Sequence, residues 1–433
     1  MNSLNDWLAH LEGLHPKGQA GIELGLERVA RVKAELQQRQ HCPVVVVGGT
    51  NGKGSTCAYL ETIYRAAGVR TGCYTSPHLL VYNERVRVDG VPASDADLVR
   101  AFARVEAARQ AAGGIALTYF EFGTLAAWEV FAAQGVGVAI LEVGLGGRLD
   151  AVNVYDADCA IVTGIALDHT DWLGTTREAI GFEKAGIFRP ARPALCADPV
   201  PPGTLCAHAA SIGADLRLIG RDFTMAAEAQ AWTFASGDTR WEGLPLPALK
   251  GACQLRNAAA ALTAVALLQA RLPVPRAAIE TGLRTVRLAG RFEIIGEHPC
   301  VIVDVAHNPQ AAAGLAENLE AMPCAGKTLA VVGMLADKDI AGALATLAGR
   351  VDVWLVAGLD VPRGAPAGTV ARAVAGLGGN VEVFDSPEAA FACAVGRAGE
   401  NDRIAAFGSF HTVAAVLRVV AARGDSPLPS GRS

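Results

Sequence analysis

The residues that most constrain this chain are Val44–Ser55, VVVVGGTNGKGS. Four consecutive valines suit a strand buried on both faces, as in a parallel sheet covered by helices. Glycines follow at 48, 49, 52 and 54, and the run TCAYLETIYRAAG after them is permissive for a helix. Strand, glycine-rich turn and helix together make a phosphate cradle. Backbone N–H groups line the turn, the helix N-terminus adds partial positive charge, and one lysine, Lys53, balances the phosphate oxygens. The spacing departs from GxxxxGK[ST]: Val47 stands where the first glycine is expected, and Gly54 separates Lys53 from Ser55. A glycine turn without a ligand is the competing reading. Lysine, hydroxyl and glycines coinciding at a strand end argue against it.

At 433 residues the chain exceeds one ordinary core, so two domains are expected. Half of it is hydrophobic, with 48 glycines and only 6% aromatic residues, which suits an α/β protein with tightly packed helices. A formal charge of −5 offers nothing to nucleic acid or an anionic membrane. Ten cysteines are scattered without a CxxC pair, and they read as small core residues in a reducing compartment. The opening MNSLNDWLAHLEGLHPKG carries charged and polar residues throughout, and no later stretch reaches a charge-free membrane span. A cytoplasmic monomer is the expectation.

Along the chain, residues 1–40 read as two short surface helices broken at Pro16–Gly18. VRTGCYTSPHL reads as a second strand, which YNERVRVDG continues. Asp95–Ala112 is a helix capped by Ser94, and Thr118–Ala133 is a buried one. VGVAILE is a strand ending on Glu142, and CAIVTGIALDH is another, ending at Asp168 and His169. The helix TREAIGFEKAGIF follows, with Glu183 and Lys184. Pro199–Leu249 reads as antiparallel hairpins, and Gln254–Arg271 as a long helix. Past a junction near Leu288–Gly296, VIVDVAHN, KTLAVVGML, VDVWLVAGL, NVEVF and DRIAAFGSF are five further strands. The expected fold is therefore α/β: a parallel-sheet P-loop ATPase domain with a small antiparallel portion over 1–288, then a smaller Rossmann-like domain over 289–425. Residues 426–433 read as a flexible tail.

In such sheets ligands gather at the carboxyl ends of strands. Lys53, Glu142 and His169 all fall near those ends. Glu142 is placed to hold Mg²⁺ directly or through water, with Ser55 a further candidate; a capping or surface glutamate is the alternative. His169 reads as a metal ligand, a base or a structural histidine, and Lys184 alone as a snorkelling lysine. Asp304 and His307 in VDVAHNP close the first strand of the second domain, and Arg291 and Lys338 could add positive charge for phosphate. Spacing alone stops at a two-domain enzyme dependent on ATP and Mg²⁺, with its site between the domains.

The segments GTNGKGS, TSPHL, TYFEFGT, EVGLGGRLDA, DHTDWLG, FEKAGIF, GRFEII, DVAHNP and GSFHTV go further. In that order, from residue 48 to about 413, they resemble bacterial folylpolyglutamate synthase, and in particular the bifunctional form that is also a dihydrofolate synthase. GTNGKGS alone is shared with the Mur ligases. The resemblance implies ATP-driven addition of L-glutamate to dihydropteroate, and of further glutamates to the γ-carboxyl of reduced folates, through an acyl phosphate.

It also implies site residues. Asn51, Gly52, Lys53, Gly54, Ser55 and Thr56 would hold the ATP phosphates. Ser76 and Glu142 would bind one Mg²⁺; Glu142, His169 and Lys184, the last as a carbamate, would bind a second. Asn257, Arg291 and Asp304 match the family's remaining ATP contacts. Thr118, Tyr119, Phe120 and Glu121, with Leu149, Asp150 and Ala151, match its pterin-binding segments. His307 and Ser409 fall where glutamate-side contacts are placed. Val152 and Cys253 stand where the family usually has threonine and histidine.

A Mur-type amino-acid ligase needs a further domain before the loop, and 47 residues before Gly48 leave no room for it. A nucleotide-binding regulator that hydrolyses little fits poorly with the strand-end residues of a second α/β domain. A monofunctional folate extender is the nearest rival; by resemblance, TYFEFGT and GSFHTV favour the bifunctional form.

Overall fold

The computed structural model describes residues 1–16, 18 and 21–423; the tail assigned to 426–433 lies outside them. The described chain divides into two compact units, Met1–Ala248 with Gln254–Arg287, and Leu249–Cys253 with the residues from Leu288 on.

The first unit is built on an eight-stranded sheet. Its order is Val91–Pro92, Val86–Val88, Thr71–Tyr74, Val138–Glu142, Val44–Gly48, Cys159–Val162, Pro193–Cys196, Asp215–Leu218. From Thr71–Tyr74 onward every neighbouring pair is parallel. The valine strand sits near the middle and is buried at every position, as an unbroken β-branched run demands. Helices Leu4–Leu14, Glu27–Glu35 and Tyr119–Gln134 pack on helix Asp95–Ala111. The first two bury Leu4, Trp7, Leu11, Val29 and Val32 and turn their polar faces outward. Each such aliphatic or aromatic side chain taken from water contributes about 1.5–3 kcal/mol before the entropy of ordering it.

Three sequence expectations are corrected. YNERVRVDG does not continue the strand before it. The Glu84 carboxylate accepts the N–H groups of Leu79 (2.7 Å), Leu80 (2.8 Å) and Val81 (2.8 Å), and gathers the chain into a 3₁₀ turn over Tyr82–Arg85. Val86–Val88 then returns antiparallel to Thr71–Tyr74. The strand expected to end at Asp168 and His169 stops at Val162, because the backbone groups beyond it bond to the phosphate loop instead of continuing a ladder. Finally, 199–249 is not all hairpins. Gly203–Ile212 is a helix with Leu205 and Ala209 buried one turn apart, and Asp215–Leu218 is a parallel strand of the main sheet. Only Phe223–Ala227, Ala231–Ser236 and Thr239–Pro245 form a separate antiparallel sheet. Helix Ala252–Leu267, from Gln254 on, and helix Arg276–Thr285 complete the unit.

The second unit carries a six-stranded sheet, Glu293–Glu297, Cys300–Asp304, Arg403–Phe407, Thr328–Val332, Val353–Ala357, Val381–Phe384. Only the Glu293–Glu297 edge is antiparallel. Leu315, Leu319, Trp354 and Phe407 belong to its core.

Candidate active site

Val47 pairs with Glu142, and Gly48 with Val162, so three strands of the first unit end side by side. From those ends leave the phosphate loop, the glycine loop before Asp150, and the segment that leads to His169.

The phosphate loop is shaped by two glycines. Gly49 has φ +141° and lies so close to Thr163 that a Cβ there would sit 1.8 Å from Thr163 Oγ1. Gly52 has φ +95°, and a Cβ on it would lie 2.5 Å from Asn257 Oδ1. Asn257 is buried on helix Ala252–Leu267 and donates to Gln254 Oε1 at 3.1 Å. Gly52 precedes helix Lys53–Ala66, and no side chain caps that helix, whereas Ser94, Thr118 and Thr176 cap helices elsewhere in the unit. Its first-turn N–H groups therefore remain for an anion to accept from. Lys53 Nζ donates to the carbonyls of Gly49 (3.1 Å) and Thr50 (3.2 Å), which holds the ammonium over the loop. Ser55 and Thr56 are buried, and the Thr56 hydroxyl donates back to Gly52 O.

Glu142 is buried at its strand end, and one carboxylate oxygen accepts the Ser76 N–H at 3.1 Å. Asp150 closes the glycine loop by accepting from Leu145 N (2.8 Å) and Val152 N (3.0 Å). Burial pushes its carboxyl up to about 6, against those hydrogen bonds and the charge of Lys53. Lys184, in the last turn of helix Arg177–Ala185, is also buried. Burial first, and the Lys53 ammonium second, bring its amine down to about 7, while Asp168 and Asp150 oppose the shift. Lys53, Lys184, Asp150 and Asp168 thus lie within electrostatic reach of one another. His169, at φ +52°, opens the short helix Thr170–Leu173, and its N–H donates to the Asp168 carboxylate.

Among the described residues no three His, Cys, Asp or Glu side chains form a ready cage. Mg²⁺ ordinarily takes one or two carboxylates and completes its shell with phosphate and water, so a cage is not required. A buried carboxylate beside a phosphate loop meets that need. A lysine amine held near neutrality can pass into the uncharged form that reacts with CO₂, which an ordinary exposed lysine does rarely. The residues present fit the ion.

Other residues singled out in the sequence have structural duties here. Thr118 and Glu121 form a reciprocal cap: Thr118 Oγ1 accepts the Glu121 N–H at 3.2 Å, and Glu121 accepts the Thr118 N–H at 2.8 Å. Glu121 also pairs with Arg28 at 2.8 Å. Thr118→Ala is expected to lower stability by about 1 kcal/mol, read as a shifted urea midpoint with unchanged slope. Tyr119 is buried beneath the Arg85 guanidinium, 5.5 Å from its ring centroid, and Phe120 lies 5.6 Å from the Tyr74 ring. The Leu149 carbonyl accepts the Gly25 N–H, and Ala151 is buried in a 3₁₀ turn.

In the second unit the Asp304 carboxylate accepts from Phe292 N (2.8 Å) and Ala306 N (2.7 Å). Burial raises its pKa, with Arg291 the main opposing charge. The Arg291 guanidinium stands 5.4 Å over the Phe410 ring, and His307 Nδ1 lies 2.8 Å from Val305 O. Ser409 is buried and caps helix Phe410–Ala422 by accepting the Thr412 N–H at 3.0 Å.

Sequence reasoning passed over Thr50, Thr163, Arg177 and Asp198, all of which hold the segment leading to His169. Asp198 follows the apolar strand PALC much as Glu142 ends VAILE, but Pro190, Pro193 and Pro199 mask the strand signal.

Residues 290–410 match the family described as Mur ligase, glutamate ligase domain. The whole chain is 48% identical over 421 residues to the dihydrofolate synthase/folylpolyglutamate synthase of Escherichia coli strain K12, covering 97% of this chain and 96% of that one. It superimposes on a structure of E. coli FolC in complex with DHPP and ADP with a TM-score of 0.91 and 47% identity, over 98% of this chain and 99% of that one. A bifunctional folylpolyglutamate synthase/dihydrofolate synthase with Mn, AMPPNP and L-glutamate bound gives a TM-score of 0.88 and 46% identity, with 98% of each chain covered.

Proposed function

The chain belongs to the dihydrofolate synthase/folylpolyglutamate synthase family, and from that premise we propose that it is a bifunctional, ATP- and Mg²⁺-dependent glutamate ligase. It adds L-glutamate to dihydropteroate, and further glutamates to the γ-carboxyl of reduced folates. The observation that carries this reading is the convergence of three adjacent strand ends on Lys53, Glu142 and the segment bearing His169, in a site that also holds the buried Lys184, its amine brought down to about 7 by burial.

A carboxylate is a poor electrophile at neutral pH. Its oxygen attacks the γ-phosphorus of ATP, ADP departs, and the acyl phosphate so formed is attacked by the glutamate amine. Phosphate leaves as the amide forms, and the amine gives up a proton. Little covalent work falls to the protein, which positions anions and neutralises developing charge. Asn51–Thr56 cradle the phosphates through backbone N–H groups, with Lys53 as countercharge. Mg²⁺ would supply charge neutralisation at the phosphates; Ser76 and Glu142 would hold one ion, and Glu142, His169 and carbamylated Lys184 a second. Asn257, pressed against Gly52, is assigned to ATP, as are Arg291 and Asp304 by resemblance. The segments Thr118–Glu121 and Leu149–Ala151 are assigned to the pterin, more through backbone and ring faces than through Thr118 and Glu121, whose polar atoms serve the helix cap. His307 and Ser409 are assigned to the glutamate side.

The charge of −5 supports small-molecule partners over nucleic acid, and among the described residues no helix is long and apolar enough to cross a membrane. A cytoplasmic monomer is the corresponding proposal.

The test is phosphate release from Mg-ATP with L-glutamate, offering dihydropteroate or tetrahydrofolate separately, with glutamate omitted as control. Glutamate-dependent release with both acceptors is expected. Release with tetrahydrofolate alone would leave a monofunctional folate extender. Silence with both, from protein that binds ATP, would contradict the ligase reading.

A further inference from the structure

The segment Thr163–His169 joins the strand Cys159–Val162 to the proposed ligand His169, and it is gripped from two sides. Toward the phosphate loop, Thr163 is fully buried. Its N–H donates to Gly48 O at 2.9 Å, and its hydroxyl is 3.1 Å from Gly48 O and 2.8 Å from Asn51 O. Thr50 N donates to Gly164 O at 2.6 Å, and the Thr50 hydroxyl accepts from Ala166 N (3.1 Å) and donates to Ala166 O (3.2 Å).

Ile165 faces the other side, where both its backbone groups meet one ion pair. Its N–H donates to Asp198 Oδ2 at 2.7 Å, and its carbonyl accepts from Arg177 Nη1. Arg177 and Asp198 bond to each other at 3.0 Å and both engage Val200, Arg177 through the carbonyl at 2.6 Å and Asp198 through the N–H at 2.9 Å. Asp198 is 3% exposed, at the end of strand Pro193–Cys196. Arg177 is the first residue of the helix whose last turn carries Lys184.

The pair therefore ties two elements together. One is the stretch that delivers His169 four residues after Ile165; the other is the helix that delivers Lys184 two turns after Arg177. We propose that Arg177 and Asp198 are positioning residues that set His169 and Lys184 at the separation needed to share one divalent cation. Neither side chain touches the ion in this scheme. They act one step outside the ligands, on the backbones that carry them; loss of partners bonded directly to ligating side chains costs metal sites about 10–100-fold in affinity, and the lower end of that range applies here. The proposal rests on the reading of His169 and Lys184 as ligands of one ion.

The test is Mn²⁺ binding to the full chain in the presence of ADP, followed by electron paramagnetic resonance, for the wild type, Asp198→Asn and Arg177→Met. Arg177 is 39% exposed, so its variant keeps the measurement open should Asp198→Asn fold poorly. Both variants are expected to weaken Mn²⁺ binding about tenfold or more. Metal-free ADP affinity should stay within about twofold, because the Thr50 and Thr163 contacts to the phosphate loop are retained. The double variant should be no weaker than the poorer single one, since the two residues form one unit. Unchanged Mn²⁺ affinity with a lowered melting temperature would overturn the proposal and leave the pair a stabilising contact only. Wild-type protein that binds ADP but takes up no Mn²⁺ would instead overturn the metal reading beneath it, and the proposal with it.

Discussion

Lys184→Ala is expected to lower kcat by on the order of 10²–10³-fold, the range seen when one charge-stabilising group is removed from a site that excludes water. The physical case begins with burial. An ammonium at this position would be desolvated and would face Lys53, and both effects bring its pKa from 10.5 to about 7. CO₂ adds to the neutral amine: the nitrogen lone pair forms the N–C bond, one proton leaves, and the lysine becomes an oxygen donor with negative charge. Repulsion from Lys53 then turns into attraction. Short carboxylic acids such as acetate or propionate should restore part of the activity of Lys184→Ala by placing a carboxylate in the vacated volume. An alanine variant with wild-type kcat would remove Lys184 from the machinery.

The same shift has a signature in stability. The unmodified lysine has a folded-state pKa below its unfolded value, so the native state binds fewer protons than the unfolded one between about pH 7 and 10.5. The destabilisation from burying the amine is therefore complete below about pH 7 and fades as pH rises toward 10.5. Lys184→Met, in CO₂-depleted buffer, should relieve it: the gain in melting temperature over wild type should be largest near pH 7 and shrink toward pH 10. A gain independent of pH would mean that packing, not charge, sets the difference.

Much of this site was legible before any coordinates. An unbroken valine run cannot sit at a half-exposed surface, and glycines at its end mark a turn that must pass close to something; together they mark the phosphate loop, while the apolar run VGVAILE marks Glu142 at a neighbouring strand end. What the sequence could not show were partners supplied from far along the chain. Thr163 looks like any strand-end threonine until Gly49 is found against it, and Asp198 follows a strand flanked by prolines, which hid it. The apolar run CAIVTGIALDH reads as a strand reaching His169, yet the backbone from Thr163 to Ala166 is claimed by the phosphate loop and by Arg177 and Asp198, so the ladder stops at Val162. Thr118 and Glu121 show the converse. Their spacing is a helix-capping signature in its own right, and a motif match to a pterin segment overlooked the cap. In the stretch after Pro199, turn residues suggested hairpins, but Leu205 and Ala209 bury one face of a helix; side-chain burial outweighed local propensity.

Gly49→Ala tests whether the shape of the phosphate loop is imposed from outside it. Two penalties fall on the variant. Its φ of +141° belongs to a region that side chains rarely occupy, which costs about 1–3 kcal/mol. Its Cβ would also lie 1.8 Å from the hydroxyl of Thr163, a buried group already bonded to Gly48 and Asn51 on the loop. The loop would have to lift away from Thr163, and its N–H groups would lose the concave arrangement that phosphate requires. ADP binding by calorimetry should fall below detection, and the melting temperature should drop by several degrees. Thr163→Ala in the same chain removes the hydroxyl and with it the worst overlap, so the double variant should regain part of the lost melting temperature. It should not regain ADP binding, because the bonds from Thr163 Oγ1 to Gly48 O and Asn51 O would be gone as well. Recovery of both would show that the loop finds its phosphate-binding shape unaided once the overlap is relieved. Recovery of neither would place the whole defect in the backbone conformation at residue 49. The expected split, fold restored and nucleotide lost, would locate the information for phosphate binding partly in Thr163, just past the strand Cys159–Val162, which contributes no residue to the motif.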